Sequence, residues 1–208
     1  MDFPLDLFVL TADADQLAAV RTLLEARTAS LGIRPCRFDV RKHPQRDPGC
    51  VGNGVELLAT LKSQVRHGLM ILDWEGSGRE DVTAVELERE LDARLDKADW
   101  QGRARAVVID PETEIWLWSD SPHVAAVLGW GSEKGDLRAW LNERGLLAAG
   151  AMKPTRPKEA MLAVLRETGI RPSAANFAAI AKQVSLERCQ DRSFLRLRDV
   201  LRAWFPPA

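Results

Sequence analysis

Carboxylates recur where apolar runs end in this chain. Residues 7–10 (Leu-Phe-Val-Leu) lead to Asp13 and Asp15, residues 69–72 (Leu-Met-Ile-Leu) to Asp73 and Glu75, and residues 104–109 to Asp110, Glu112 and Glu114. If the runs are strands of an open parallel sheet, their C-terminal ends line the crevice where ligands bind. Hard oxygen ligands gathered there suit Mg²⁺ or Mn²⁺, and such an ion activates water and stabilises charge on a phosphoryl group. Each acid taken alone has an ordinary alternative use, because Asp and Glu cap helices and favour their N-termini. The D-x-E-G pattern at Asp73 and Glu75 says more, since carboxylates at i and i+2 face one crevice if the chain stays extended.

Cationic side chains form a second set. Arg41, Lys42, His43 and Arg46 follow the second apolar run, where they would hold a phosphate or a nucleic-acid backbone, or be solvated. His43 is also a candidate acid or base. Near the end of the chain, Arg192, Arg196, Arg198 and Arg202 fall on one helical face and Phe194, Leu197, Val200, Leu201 and Trp204 on the other. Gly49, Gly52 and Gly54 lack the Gly-Lys-Ser/Thr of a phosphate loop. Cys36, Cys50 and Cys189 lack metal-ligand spacing, and Ile115-Trp116-Leu117-Trp118 reads as core.

The elements that must position these groups alternate. Apolar runs at 7–10, 35–40, 69–72 and 104–109 read as strands, and residues 14–31, 55–65 and 82–95 carry helical periodicity. Two prolines and a glycine cluster mark residues 41–54 as a loop. Continuous apolar strands separated by helices predict a parallel α/β sheet covered on both faces. After Pro111 the pattern is helical, at 122–128, 137–144, 158–168, 174–184 and 193–205, with a proline-bearing linker at 152–157. This divides the chain into an α/β domain over 1–150 and a basic helical subdomain over 151–208.

Composition bounds the classes. The 208 residues carry 29 basic and 30 acidic side chains, but the signs are separated. From Lys153 onward 11 basic residues face 5 acidic ones, a net of +6, which leaves −7 for the first 152 residues. The basic end would meet a polyanion or fold back on the acidic part of its own chain. No run approaches the roughly 18 apolar residues that cross a bilayer, no secretory signal opens the chain, and three cysteines make no disulfide framework. A soluble cytoplasmic protein is expected.

Hydrophobic strand, D-x-E-G-S-G at 73–78, then a strand running into D-P-E-x-E-I-W-L-W at 110–118 resembles the Toprim-like proteins of the RloB and OLD-nuclease neighbourhood, often encoded with bacterial anti-phage defence genes. The resemblance implies a divalent metal, Mg²⁺ or Mn²⁺, at Asp73 and Glu75, and matches Glu114-Ile115-Trp116 to the group's F/L-E-x-W segment. The chain is more closely similar to a bacterial family sharing R-x-H-P-x-R-D-P-G (41–49), D-x-E-G-S/C-G (73–78), D-P-E-x-E-x-W-x-W-S-D-S-P-H-V (110–124) and V-S-L-E-R-C-x-D-x-S-F (184–194). That likeness spans nearly the whole chain and implies a place in methylation-associated defence systems. One departure matters: a Toprim nuclease carries a glutamate after its first strand, and here the segment is Leu10-Thr11-Ala12-Asp13, so Asp13 or Asp15 would have to substitute.

Three functions follow as expectations. In the first, Asp73, Glu75 and Asp110 hold the metal of a nuclease, Asp13, Glu112 or Glu114 assists, and Arg41, Lys42, His43, Arg46, Arg192 and Arg196 hold nucleic acid. In the second, a non-catalytic module binds other defence proteins through its acidic edge or basic tail. In the third, the chain senses nucleic acid without cutting it.

Overall fold

Alternation along four short strands builds two apolar faces. The computed structural model describes residues 3–118, 121–186 and 189–207; Ser119, Asp120, Glu187 and Arg188, within two of the shared motifs, lie outside them. Strands β1 (Leu5–Thr11), β2 (Phe38–Lys42), β3 (Val65–Asp73) and β4 (Ala104–Ile109) form one all-parallel sheet in the order β2-β1-β3-β4. Leu7, Val9, Leu69, Ile71, Val107 and Ile109 face one way, and Phe8, Leu10, Met70, Leu72, Ala106 and Val108 the other. Burial on both faces is why the strands read as continuous apolar runs. The architecture is the expected α/β sheet flanked by helices, consistent with a Toprim-like arrangement.

On the second face lie α3 (Arg46–Thr60) and α4 (Ala84–Leu95). On the first lie α1 (Ala14–Ala26), α2 (Thr28–Leu31), α5 (Glu114–Leu117), α6 (Pro122–Val127), α7 (Leu137–Glu143), α8 (Pro157–Thr168), α9 (Ala174–Gln183) and α10 (Arg192–Trp204). The C-terminal helices thus enter the same core as the sheet. Met161, Val164, Phe177, Ile180, Phe194, Leu197 and Phe205 pack in one cluster with Leu7, Val9 and Ile71. Arg27 fastens α1 to the end of α9, donating to the carbonyls of Ala181, Lys182 and Val184 at 2.7–3.0 Å. Trp116 Nε1 donates to Ser193 Oγ at 2.7 Å and Trp118 Nε1 to the Pro157 carbonyl at 2.9 Å, so the tryptophans are core, as read. No helix of the described residues is long and apolar enough to cross a membrane.

The segment expected as a loop at 41–54 is largely helix. Pro48 is accommodated because it is the third residue of α3, within the first turn where backbone N–H groups have no helical partner. The glycines serve close approach: a Cβ on Gly49 would lie 2.1 Å from His43 Nδ1, and one on Gly54 2.6 Å from Met70 Sδ. Asn53 breaks the helical geometry (φ −130°) and meets His43 Nε2 with its Oδ1 at 2.9 Å. Because the Gln45 N–H donates to His43 Nδ1 at 3.0 Å, Nε2 is the nitrogen that donates to Asn53.

Two substitutions in α3 are expected to separate packing from propensity. Gly49→Ala drives a methyl into the His43 ring and should cost about 1–3 kcal/mol. Gly52→Ala, with nothing within 4 Å of its Cβ, should gain about 0.5–1 kcal/mol from helix propensity. Urea unfolding midpoints of the two variants should move in opposite directions.

Candidate functional site

The order β2-β1-β3-β4 reverses between β1 and β3, and the crevice outside that switch point is where open α/β sheets bind ligands. Asp73 ends β3 there and is 6% exposed. Its Oδ1 accepts from Gln16 Nε2 at 2.9 Å and from Thr113 Oγ1 at 2.7 Å. Its backbone N–H donates to Asp47 Oδ1 at 2.8 Å. Gln16 is positioned by its own Oε1, which accepts from the Ala12 N–H at 2.8 Å. Asp13 caps α1, accepting from the N–H groups of Asp15 and Gln16 at 2.9 Å. Segments following β1, β2 and β4 therefore meet at this one residue of β3, two of them at its carboxyl and one at its N–H.

Among the described residues one lysine, on α8, faces this group of acids. Lys158 Nζ donates to Glu112 Oε2 at 2.8 Å, with Glu112 buried and Lys158 half exposed. Burial works against the Lys158 charge, but the Glu112 hydrogen bond and the fields of Glu114, Glu112 and Asp73 hold its pKa above the usual lysine range. Burial raises the Asp73 carboxyl well above the ordinary aspartate value, and Asp47, Glu114 and Asp13 add to that while the Thr113 bond opposes it. Asp47 and Asp15 are raised for the same first reason, burial, with Asp13 adding to each. Glu114 is pushed by burial to about 7, with Lys158 opposing and Glu112 and Asp15 reinforcing. Perturbed carboxyls in a switch-point crevice mark a functional-site candidate.

The predicted residues are divided by the fold. Asp73, Asp13, Glu112 and Glu114 share the crevice, whereas Glu75 and Asp110 leave it. The chain bends at Trp74 into a turn whose central residues are Glu75 and Gly76 (φ +84°), the Ser77 N–H returning to the Trp74 carbonyl at 3.2 Å. The extended geometry that would bring carboxylates i and i+2 together is lost, and Glu75 is exposed. Asp110 is exposed beside Thr83, Asp191 and Arg192. Among the described residues no three His, Cys, Asp or Glu side chains come together as a metal site. The residues present therefore do not fit the Mg²⁺ or Mn²⁺ set of Asp73, Glu75 and Asp110.

The cationic set is likewise redistributed. His43 is buried in the contact with Gly49 and Asn53. Arg41 pairs with Asp39 at 2.8 Å, Lys42 is exposed, and Arg46 lies near enough to Asp15 to oppose its rise. Arg192 pairs with Glu88 at 2.9 Å and donates to the Val108 carbonyl at 2.8 Å; Arg196 reaches Glu88 and Asp92. Arg192 and Arg196 of α10 are thus turned onto acids of α4 and are not presented to a phosphate backbone, while Arg202 donates to the Leu31 carbonyl at 2.7 Å.

Sequence reasoning missed Gln16, Asp47, Thr113 and Lys158. Asp47 and Thr113 stood inside motifs already noted, at 41–49 and 110–124. Lys158, from a segment read as a separate subdomain, gave no signal. In comparisons with known proteins, no family model, curated protein or solved structure matches the chain.

Glu114 should make stability pH-dependent in a defined direction. Its pKa is about 7 in the fold against an ordinary 4.5, so the folded protein retains a proton that the unfolded chain releases. Stability from this group falls as pH rises from about 4.5 to 7 and is level above. Glu114→Gln should therefore stabilise the protein at pH 8 by on the order of 2 kcal/mol and change it little at pH 4.5. Denaturant unfolding at both pH values checks this, and an equal effect at the two would refute the assignment.

Proposed function

We propose that this chain is a Toprim-like module of a bacterial anti-phage defence system, and that it works by binding a partner protein at its acidic edge rather than by metal-dependent cleavage. The motifs at 41–49, 73–78, 110–124 and 184–194 support the context. One observation carries the non-catalytic reading. The carboxyl that a metal would need, Asp73, lies below the surface with Oδ1 bonded to both Gln16 and Thr113, while Glu75 and Asp110 face elsewhere. The segment Leu10-Thr11-Ala12-Asp13 agrees, because Asp13 is occupied as the cap of α1.

The charge of the edge indicates what binds. Even with Asp73 and Glu114 protonated, Asp13, Asp15, Asp47 and Glu112 outnumber Lys158 and Arg46 around the crevice. A phosphate backbone would be repelled there, whereas a partner presenting a basic segment would be drawn in.

Calorimetric titration with Mn²⁺, alongside a DNA cleavage assay, tests the reading. The wild-type chain is expected to show neither saturable binding at millimolar metal nor cleavage. Saturable binding that Asp73→Asn abolishes would overturn it and restore a metal-dependent phosphoryl-transfer domain.

A further inference from the structure

The loop between β3 and α4 holds an arrangement that the acidic crevice does not use. Residues 76–80 read Gly-Ser-Gly-Arg-Glu, and the loop closes on one of its own side chains. Glu80 Oε1 accepts from the Gly76 N–H at 2.7 Å and from the Gly78 N–H at 3.4 Å. The backbone N–H groups of the loop, that of Glu80 itself foremost, hold this exposed carboxyl below its usual range, with burial opposing. Converging backbone N–H groups of this kind form an anion-binding concavity.

No close neighbour explains the two glycines, and Gly76 also serves the turn between Trp74 and Ser77. A Cβ on Gly76 or Gly78 would meet no atom within 4 Å, so neither glycine makes room for a neighbour. Both have left-handed backbones, φ +84° and +77°, which L side chains rarely adopt. The conformation turns their N–H groups to one side. The rest of the loop keeps it in place: Ser77 is buried and its Oγ accepts from the Arg79 N–H at 3.1 Å, and Trp74 Nε1 donates to the Val82 carbonyl at 2.9 Å. Arg79 is itself engaged by Asp81 and Glu90 at 3.2 and 3.0 Å.

We infer that the loop at 76–80 is a preformed receptor for a phosphoryl oxyanion, and that Glu80 is its resident, displaceable occupant. The inference goes beyond the partner-binding reading and does not depend on it. The loop lies at the C-terminal end of β3, on the side of the sheet where ligands of this architecture bind. A phosphate dianion carries more charge and more acceptor oxygens than the carboxylate it would replace. The exposure of Glu80 lets its side chain swing into solvent without opening the core. Phosphate chemistry has two sources, a free phosphate or phosphomonoester and the diester backbone of a nucleic acid.

The test uses the full chain, as wild type and as Glu80→Ala, followed by amide NMR of Gly76 and Gly78. Titration with inorganic phosphate, against sodium chloride of matched ionic strength, is expected to shift both amides saturably in Glu80→Ala. Wild type should need about tenfold more phosphate, because the carboxylate must first be displaced. A short single-stranded oligonucleotide forms the second arm. Stronger shifts with it than with phosphate assign the diester backbone, and shifts with phosphate alone assign the monoester. Failure of both ligands to move the two amides in Glu80→Ala would overturn the inference. Equal affinity in wild type and variant would overturn the role of Glu80 as occupant.

Discussion

Taking the Asp73 carboxyl out of water at the end of a central strand constrains everything around it. A desolvated carboxyl is costly unless it is neutral or fully hydrogen-bonded. Here burial and the nearby acids favour the protonated form, and two donors from different segments converge on one oxygen. The bond to Gln16 fixes the first turn of α1 against β3. That to Thr113 fixes the chain leaving β4, and the Asp73 N–H on Asp47 fixes the start of α3. The edge of the sheet is organised around one group, so the acids near it raise one another instead of each facing water.

The same balance of charge explains the basic C-terminal segment. An acidic first part with net −7 and a basic remainder with net +6 meet in specific pairs: Lys158 on Glu112, Arg192 on Glu88, and Arg196 on Glu88 and Asp92. Glu88 is 5% exposed, and its Oε2 also accepts from the Val108 N–H at 3.1 Å. Removing the arginines would leave that carboxylate uncompensated on the flank of β4, the costly way to break a buried pair. The segment supplies both apolar cover for one sheet face and the counter-ions of the opposite layer's helix.

Period and composition made the sheet legible. Residues 7–10, 69–72 and 104–109 are the cores of β1, β3 and β4, and the helices at 82–95 and beyond 157 fall within a residue or two of α4, α8, α9 and α10. Local rules failed where tertiary contacts overrode them. Pro48, Gly49 and Gly52 argue for a loop by propensity, yet a helix forms there, and Gly49 and Gly54 let it approach His43 and Met70 more closely than a side chain would allow. At the site, the acids were visible, but their grouping was not. Glu75 is separated from Asp73 by a turn that begins one residue later, and Lys158 arrives from 85 positions downstream. No spacing rule carries that information, because strand order and the docking of α8 decide it.

Both kinds of charge at this end of the sheet are matched from within the chain. The crevice acids have Lys158, and the N–H groups of the 76–80 loop have Glu80. A ligand for either place competes with a tethered group, so its apparent affinity is reduced by the fraction of time that group stays home. The two competitors differ in what their release costs. Lys158 leaves behind Glu112, buried and deprived of its ion pair, whereas Glu80 returns to solvent and leaves only N–H groups that a new oxyanion satisfies. Displacement at the glycine loop is thus the easier of the two. A partner at the crevice must instead bring a cation of its own, which is the physical reason for expecting a basic surface on it.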